Sequence, residues 1–187
     1  TAWGGKSLAV DFRPPSSGGT VGPYYSLMIE KTRKVLGDLK KHCPNYQGKG
    51  YEIVGFGWHQ GWNDRIDKKR TDEYEANLVN LIKDVRAEFK APKMRFVIAT
   101  TGMSMANIDP TAVKLIAAQT AVSDPKRYPK FAGTVATVDT RPFDYGANSP
   151  TLGGSYHWNY NGESYFRIGR QMGLAMMKLI DKKGSRP

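Results

Sequence analysis

Cysteine is nearly absent from this chain, which has one, Cys43, among 187 residues. A single thiol excludes an internal disulfide and a cysteine-rich metal site, and we expect Cys43 to be half-buried and inert at the end of a helix. Runs of about 18 apolar residues, the length that spans a bilayer, are also absent. Neither a signal peptide nor a low-complexity tract is recognisable. The sequence therefore predicts a globular chain without a membrane-spanning segment.

Acidic side chains are the scarcer charged type. The chain has 17 Asp and Glu against 28 Lys and Arg, which gives a formal net charge of +11. The basic residues are scattered over predicted helix faces and ends, a distribution typical of a solvated surface. No nucleic-acid-binding motif accompanies them, so we predict no nucleic-acid partner.

Apolar residues make up 40% of the chain, enough to bury a core, and the length is typical of one domain spanning residues 1–187. Short apolar runs predict buried strands at 51–58, 95–101 and 133–140. Helical spacing predicts helices at 22–42, 71–89, 109–124 and 161–180, the second capped by Thr71 and the last with its small residues and methionines facing the sheet. The alternation of strands and helices predicts an α/β fold with a parallel sheet covered by helices on both faces.

A polar loop follows each predicted strand. These loops are HQGWND at 59–64, TGMSMAN at 101–107 and a long segment at 141–159 that ends in GGSYHWN. Because the carboxyl ends of parallel strands lie at one edge of a sheet, we expect the three loops to converge there.

Two histidines, His59 and His157, lie in these loops, and each has two interpretations. His59 directly follows a strand and fits an orienting, hydrogen-bonded residue better than a catalytic one. His157 precedes the last helix and fits either a cap or surface residue or a general base. Neither has a carboxylate at the spacing of a zinc site, so we predict no metal.

Neutral amides stand beside the first histidine. Gln60 and Asn63 cannot titrate or attack, but they can donate hydrogen bonds to a developing oxyanion. Gly4 and Gly5, in the opening TAWGGKS, offer a turn that could direct backbone N–H groups inward. Together with a loop histidine, these groups predict the polar half of an acyl-transfer site.

Three segments carry a resemblance to a known family: AWGGKS at 2–7, WHQGWND at 58–64 and YHWNYNGESYFRIG at 156–169. In this order they resemble the SGNH (GDSL-type) hydrolase superfamily, and most closely its carbohydrate-esterase branch with sialate O-acetylesterases and acetylxylan esterases. The resemblance implies a flavodoxin-like three-layer α/β/α domain and a serine hydrolase that removes O-acetyl groups from carbohydrates. It implies no metal and no cofactor, and it favours a secreted or periplasmic protein without fixing the compartment.

The resemblance also implies a role for each site residue. Oxyanion donors fall at Gly4 or Gly5 and at Asn63, with help from Gln60. His157 becomes the general base, and His59 keeps an orienting role beside the substrate. The acid partner of His157 stays open, with Asp64 as the first candidate and Glu163 or Asp144 as the second.

The sequence departs from the family pattern in three places. No GDS or GQSN block with the nucleophilic serine is present, because only Thr1 precedes AWGG. Gly154 stands where the family often has an aspartate three residues before the histidine. Trp62 stands where relatives frequently have a glutamate that can orient the histidine.

The serines of the chain do not replace the absent block. None of the candidates near the predicted loops sits in the strand-to-helix turn that aims a nucleophilic hydroxyl; they are Ser7, Ser16, Ser17, Ser104 and Ser155. We therefore expect the serine on a missing N-terminal segment or on a second chain. A sheet without that segment would have an open edge and uncovered apolar faces, which the missing polypeptide would cover.

Aromatic residues surround the predicted site and could stack on sugar rings: Trp3, Trp62, Tyr156, Trp158 and Tyr160. They favour a glycan substrate. They also leave an alternative open, a non-catalytic carbohydrate-binding or structural module with the same fold.

Overall fold

The computed structural model describes residues 3–105, 108–151 and 153–181. Within them, the helices and strands are α1 (Pro23–Gly37), α2 (Leu39–His42), β1 (Gly55–His59), α3 (Trp62–Arg65), α4 (Lys68–Glu88), β2 (Arg95–Ala99), α5 (Pro110–Ala121), β3 (Val135–Val138) and α6 (Gly162–Asp181). Short 3₁₀ turns occupy the connections, and one of them, Ser155–Tyr160, leads directly into α6. No helix in these residues is long and apolar enough to cross a membrane.

The three strands form one parallel sheet in the order β1, β2, β3. Phe96 of β2 lies opposite Phe56 of β1 and Val135 of β3. Every residue of β2 is buried, which explains its uninterrupted apolar sequence, since a central parallel strand is covered on both faces. The predicted α/β class is confirmed.

Helices cover the two faces of the sheet separately. Phe96 and Ile98 point towards α4 and α5 and join a core with Leu78, Ile82 and Leu115. Ala99, which points the opposite way because side chains alternate along a strand, packs with Ile168 of α6. These two helix layers and the sheet make a three-layer α/β/α arrangement, as predicted.

One edge of the sheet is open at β1. This strand pairs with β2, and no strand of the described residues pairs with its other edge. Gly57 in its middle is exposed. The neighbouring helix α6 also leaves large apolar side chains in solvent, with Tyr165, Phe166 and Met177 exposed by 45%, 69% and 57%. The expected open edge is thus present, and an uncovered apolar helix face adjoins it.

Helix α6 differs in part from the prediction that its small residues and methionines face the sheet. Met172 and Met176 do so, because a Cβ added at Gly57 would lie 3.3 Å from Cε of Met172 and one at Gly55 would lie 2.4 Å from Sδ of Met176. Gly169, Gly173 and Met177 are instead exposed. The apolar face of α6 is therefore wider than the part of it that the rest of this chain covers.

Several predicted boundaries shift for local reasons. The helix expected over 22–42 is interrupted at Asp38, whose backbone leaves the helical region with φ of −137° and ψ of 61°. The first strand begins at Gly55 rather than at 51. Helix α4 begins at Lys68, because Asp67 caps it by accepting a hydrogen bond from the Arg70 N–H at 2.9 Å. Cys43 is exposed rather than half-buried.

Candidate active site

A groove of about 790 Å³ runs along the open edge of β1 and across the carboxyl ends of the strands. Its wall includes residues from the segment 4–9 near the start of the chain, which we call the front turn. It also includes residues from the loops after β1 and β2 and from the 3₁₀ turn before α6. Gly4, Gly5, Gln60, Asn63 and His157 all line it, as do His59, Trp62 and Trp158. The structure therefore brings these predicted site residues to one place, whereas Asp64, Asp144, Glu163 and Tyr160 do not line the groove.

Gly61 makes the tight turn from β1 into α3. Its φ of 151° lies in a region that favours glycine, and a Cβ there would stand 2.7 Å from Cγ2 of Thr101 and 2.8 Å from Nε2 of Gln119. The close approach of the loops after β1 and β2 depends on this missing side chain. Asn63 is placed at the groove as a result.

Asn63 connects this loop to the front turn. Its Nδ2 donates a hydrogen bond to the Gly5 carbonyl at 2.5 Å, and Gly5 adopts a positive φ of 68°. An amide nitrogen carries two hydrogens, so this bond uses one of them. Asn63 and the Gly4–Gly5 backbone thus lie side by side at the wall of the groove.

Gln60 has a structural role that the sequence did not reveal. Its Nε2 donates to the Lys6 carbonyl at 2.8 Å and to the Asp64 carboxylate at 2.6 Å, while its Oε1 accepts from the Tyr74 hydroxyl at 3.2 Å. Both amide hydrogens are therefore engaged. The prediction that Gln60 helps to bind an oxyanion is corrected, since no donor remains free.

Asp64 is fully buried beneath the groove and does not line it. Its two oxygens accept from the backbone N–H groups of Leu8 at 2.8 Å and Ala9 at 2.9 Å, as well as from Gln60. Desolvation raises the pKa of Asp64, although these three hydrogen bonds act in the opposite direction. The carboxylate holds the front turn against the loop after β1. The expectation that Asp64 is the acid partner of His157 is therefore corrected.

The two other acid candidates are also engaged elsewhere. Asp144 accepts from the Met105 N–H at 2.7 Å, and Glu163 pairs with Arg167 at 2.6 Å. Within the described residues, no carboxylate makes a hydrogen bond to the imidazole of His157.

His157 is exposed at the groove on an unusual backbone. The three residues after it, Trp158, Asn159 and Tyr160, have positive φ angles of 54°, 52° and 57°. Such angles are costly for residues with a Cβ and persist only where the surroundings fix them. Here the Tyr165 hydroxyl donates to the His157 carbonyl at 3.0 Å. Tyr165 was not recognised in the sequence, although it also lines the groove.

Trp158 does not present a free stacking face. It is 2% exposed and packs with Ala99, Met103 and Ile168, so the prediction that it stacks on substrate is corrected. Its ring lies near the imidazole of His59, with 6.2 Å between the two ring centroids. Trp3 is also partly packed, against Tyr24 at 5.2 Å.

His59 lines the groove and is exposed there, and the protein around the groove still desolvates its imidazole. This desolvation lowers the pKa of His59 to about 4. The imidazole is therefore uncharged at neutral pH. An uncharged ring packed near Trp158 suits the orienting role better than that of a proton-transferring base, which needs a pKa near the working pH.

Three of the five candidate serines are buried or held by a carboxylate. Ser7 is fully buried and donates to Asp11 at 3.0 Å, and Ser16 donates to Asp84 at 2.5 Å on the surface of α4. Ser104 is buried at a positive φ of 62°. None of the candidates hydrogen-bonds to His157. Residues 3–105, 108–151 and 153–181 likewise contain no group of three or more His, Cys, Asp or Glu that could hold a metal ion.

A buried polar network beneath the groove was missed from the sequence. Gln119 donates to the Gln60 carbonyl at 2.8 Å and accepts from the Thr101 N–H at 2.9 Å, which joins the loops after β1 and β2. The Tyr74 hydroxyl has a single proton, which it shares between the same Gln60 carbonyl at 2.8 Å and Gln60 Oε1 at 3.2 Å. Gln119 and Tyr74 lie on the apolar faces of α5 and α4, and a polar group on such a face is the signal that could have identified the network.

These features place the chain among α/β/α proteins whose cleft lies at the carboxyl ends of parallel strands. A family model described as "SASA: Carbohydrate esterase, sialic acid-specific acetylesterase" matches residues 1–178. The chain therefore belongs to this family of carbohydrate esterases. A comparison with curated proteins finds no match.

A solved structure supports the fold. The chain is similar to a protein from Arabidopsis thaliana, determined by X-ray crystallography, with a TM-score of 0.59 and 19% sequence identity. The match covers 95% of this chain and 58% of that protein. At this identity the similarity extends to the fold, and the chain spans little more than half the length of that structure.

Proposed function

We propose that this chain is the carboxyl-terminal portion of a carbohydrate O-acetylesterase, a serine hydrolase that removes acetyl groups from sugar hydroxyls. One observation carries the proposal: His157, Asn63 and the Gly4–Gly5 turn come from distant parts of the sequence and line a single groove. An imidazole and neutral hydrogen-bond donors on one wall are the groups that ester hydrolysis by a serine requires.

The chemistry follows from the roles of these groups. His157 accepts the proton of a serine hydroxyl as the serine oxygen bonds to the acetyl carbon. Asn63 and a backbone N–H of the front turn stabilise the negative charge on the acetyl oxygen. The C–O bond to the sugar then breaks, and His157 returns the proton to the sugar oxygen. A water molecule, deprotonated by His157, hydrolyses the acetyl-serine and releases acetate.

The serine comes from polypeptide outside the 187 residues, and we propose that this polypeptide occupies the groove along β1. The free edge of β1 has unpaired backbone groups that an added strand would satisfy. Met28 and Thr32 of α1 form the far wall of the same groove. A segment that runs through the groove alongside β1 would end near His157, because residues of β1 and His157 line the same groove.

Acetate release tests this function directly. We compare the 187-residue chain with a longer version of the protein that includes the residues before it, on 4-nitrophenyl acetate, O-acetylated xylo-oligosaccharides and 9-O-acetylated sialic acid. The longer protein is expected to release acetate from at least one sugar, and the chain alone to be inactive. A longer protein that hydrolyses none of these esters contradicts the proposal.

A second candidate, a non-catalytic carbohydrate-binding module, is favoured by the ring of Tyr156, which lines the groove and is 47% exposed. Binding of the deacetylated oligosaccharides by both versions, with no acetate release from either, supports this alternative.

A further inference from the structure

Arg65 lies behind the groove and was not among the residues singled out in the sequence. Its guanidinium carbon stands 3.9 Å from the centre of the Trp62 ring, so the planar charged group stacks on the indole. The Arg65 side chain is only 11% exposed. Trp62 and Arg65 are the first and last residues of the short helix α3, which places both side chains on one side of that turn.

A second contact fixes the guanidinium. Its Nη2 pairs with the Asp109 carboxylate at 3.2 Å. Asp109 is itself held, because it caps α5 by accepting from the Ala112 N–H at 2.8 Å. The position of Arg65, and through it that of Trp62, is thereby tied to the start of a long helix rather than to a loop alone.

Trp62 connects the fixed Arg65 side chain to His157 through contacts between aromatic rings. It lines the groove, and its ring centroid lies 5.9 Å from that of Tyr156. The Tyr156 ring is in turn 4.6 Å from the imidazole of His157. Trp62, Tyr156 and His157 therefore form a continuous ring-lined wall, which we call the aromatic wall.

We propose that Arg65 is a positioning residue that fixes Trp62 as the sugar-contacting part of the aromatic wall. A stacked indole is worth most to a ligand when its plane is fixed in advance, since the cost of ordering it has already been met. Arg65 contacts one face of the Trp62 ring, and the side of the aromatic wall that faces the groove is available to the sugar. The inference rests on the proposed function for the identity of the substrate.

Two variants of Arg65 separate stacking from charge. Arg65→Met keeps the unbranched stem and loses both the guanidinium plane and the ion pair. Arg65→Lys keeps a cation for Asp109 but has no plane to stack on the indole. Trp62→Ala serves as the reference for complete loss of the ring, and Arg127→Met, which removes an exposed ion pair with Glu75, is the matched control.

The test compares a sugar ester with a sugarless one. In the longer protein that carries the serine, Arg65→Met is expected to raise KM for O-acetylated xylo-oligosaccharide by about 5- to 30-fold, as the loss of one stacking contact would. The kcat for that substrate and the kcat/KM for 4-nitrophenyl acetate should stay unchanged. Arg65→Lys should restore the melting temperature but not KM, and Arg127→Met should behave like the wild type.

Equilibrium binding of the deacetylated oligosaccharide to the same longer protein repeats the comparison without turnover. Weaker binding by both Arg65 variants and by Trp62→Ala supports the inference even if no acetate is released, a result that contradicts only the proposed function. Unchanged KM and binding in Arg65→Met overturn the inference and leave the esterase intact. Three other results also overturn the inference. They are a wild-type KM in Arg65→Lys, an equal loss of kcat/KM on the sugar ester and on 4-nitrophenyl acetate, and the absence of sugar binding by the wild type.

Discussion

Replacement of His157 by alanine is expected to lower the kcat of the complete esterase by about 10²- to 10⁴-fold, the contribution of a general acid–base group. The reason is that His157 is the proposed proton acceptor for the serine and later the donor to the sugar oxygen. Because its side chain is exposed, its loss should leave the melting temperature nearly unchanged. Steady-state acetate release and thermal unfolding of the same preparation measure both quantities.

The matched control for this experiment is His59→Gln. His59 lies in the same groove, but its pKa is lowered to about 4 by desolvation, so it is not the proposed base. We expect His59→Gln to lower kcat far less than His157→Ala does. Equal losses in the two variants, or retained activity in His157→Ala, would contradict the assignment of the base.

Replacement of Asp64 by alanine is expected to destabilise the chain by about 3 kcal/mol, because three buried hydrogen-bond donors lose their acceptor. The corresponding fall in melting temperature is about 6–12 °C for a chain of this size. The front turn should also loosen, since the Leu8 and Ala9 N–H groups are held by this carboxylate. Thermal unfolding and amide hydrogen exchange of residues 8 and 9 measure the two effects.

Asp72→Ala is the control for Asp64→Ala. The Asp72 carboxylate is 37% exposed and pairs with Lys68 and Lys114 on the surface, so its loss should leave the melting temperature nearly unchanged. If Asp64→Ala is no more destabilising than Asp72→Ala, the buried carboxylate does not hold the front turn.

The stability contributed by Asp64 also has a predictable dependence on pH. Desolvation raises its pKa above the ordinary 3.8, so the folded chain keeps this proton to a higher pH than the unfolded chain. This titration therefore adds a pH-dependent part to the stability, which is fully present below 3.8 and is lost as the pH rises through the raised pKa, while the hydrogen bonds to the ionised carboxylate remain. Asp64→Asn, which cannot titrate, should lack this decline.

The sequence predicted the fold well where the signal is local. The apolar runs at β2 and β3 and the helical spacing of α4 and α5 depend on neighbouring residues, and each of these elements forms near its expected place. The boundaries were less predictable, because competing caps decide them. Thr71, the expected cap of α4, is buried and donates to the Asp64 carbonyl at 2.8 Å, while Asp67 caps the helix.

The site was predictable as a set of loops but not in the direction of each side chain. Asp64 and Asn63 are adjacent in sequence, yet helix α3 turns Asp64 into the protein and leaves Asn63 at the groove. Likewise, Trp158 is buried and its neighbour His157 is exposed, because the left-handed backbone after His157 reverses the chain. Such orientations depend on tertiary packing, which no sequence motif specifies.

The replacement of a family glutamate by Trp62 is explained in part by the structure. Where the family resemblance led us to expect a carboxylate that orients the histidine, this chain has an indole that contacts Arg65 and lines the groove. In this chain the position forms part of the aromatic wall.

The central claim is that a serine from outside residues 1–187 reacts in the groove beside His157. Covalent labelling of the longer protein with a fluorophosphonate, followed by peptide mass spectrometry, tests it most directly. We predict one modified serine, located before the first residue of this chain, with labelling slowed strongly in His157→Ala. A modified serine within the 187 residues, or labelling that does not depend on His157, would contradict the account.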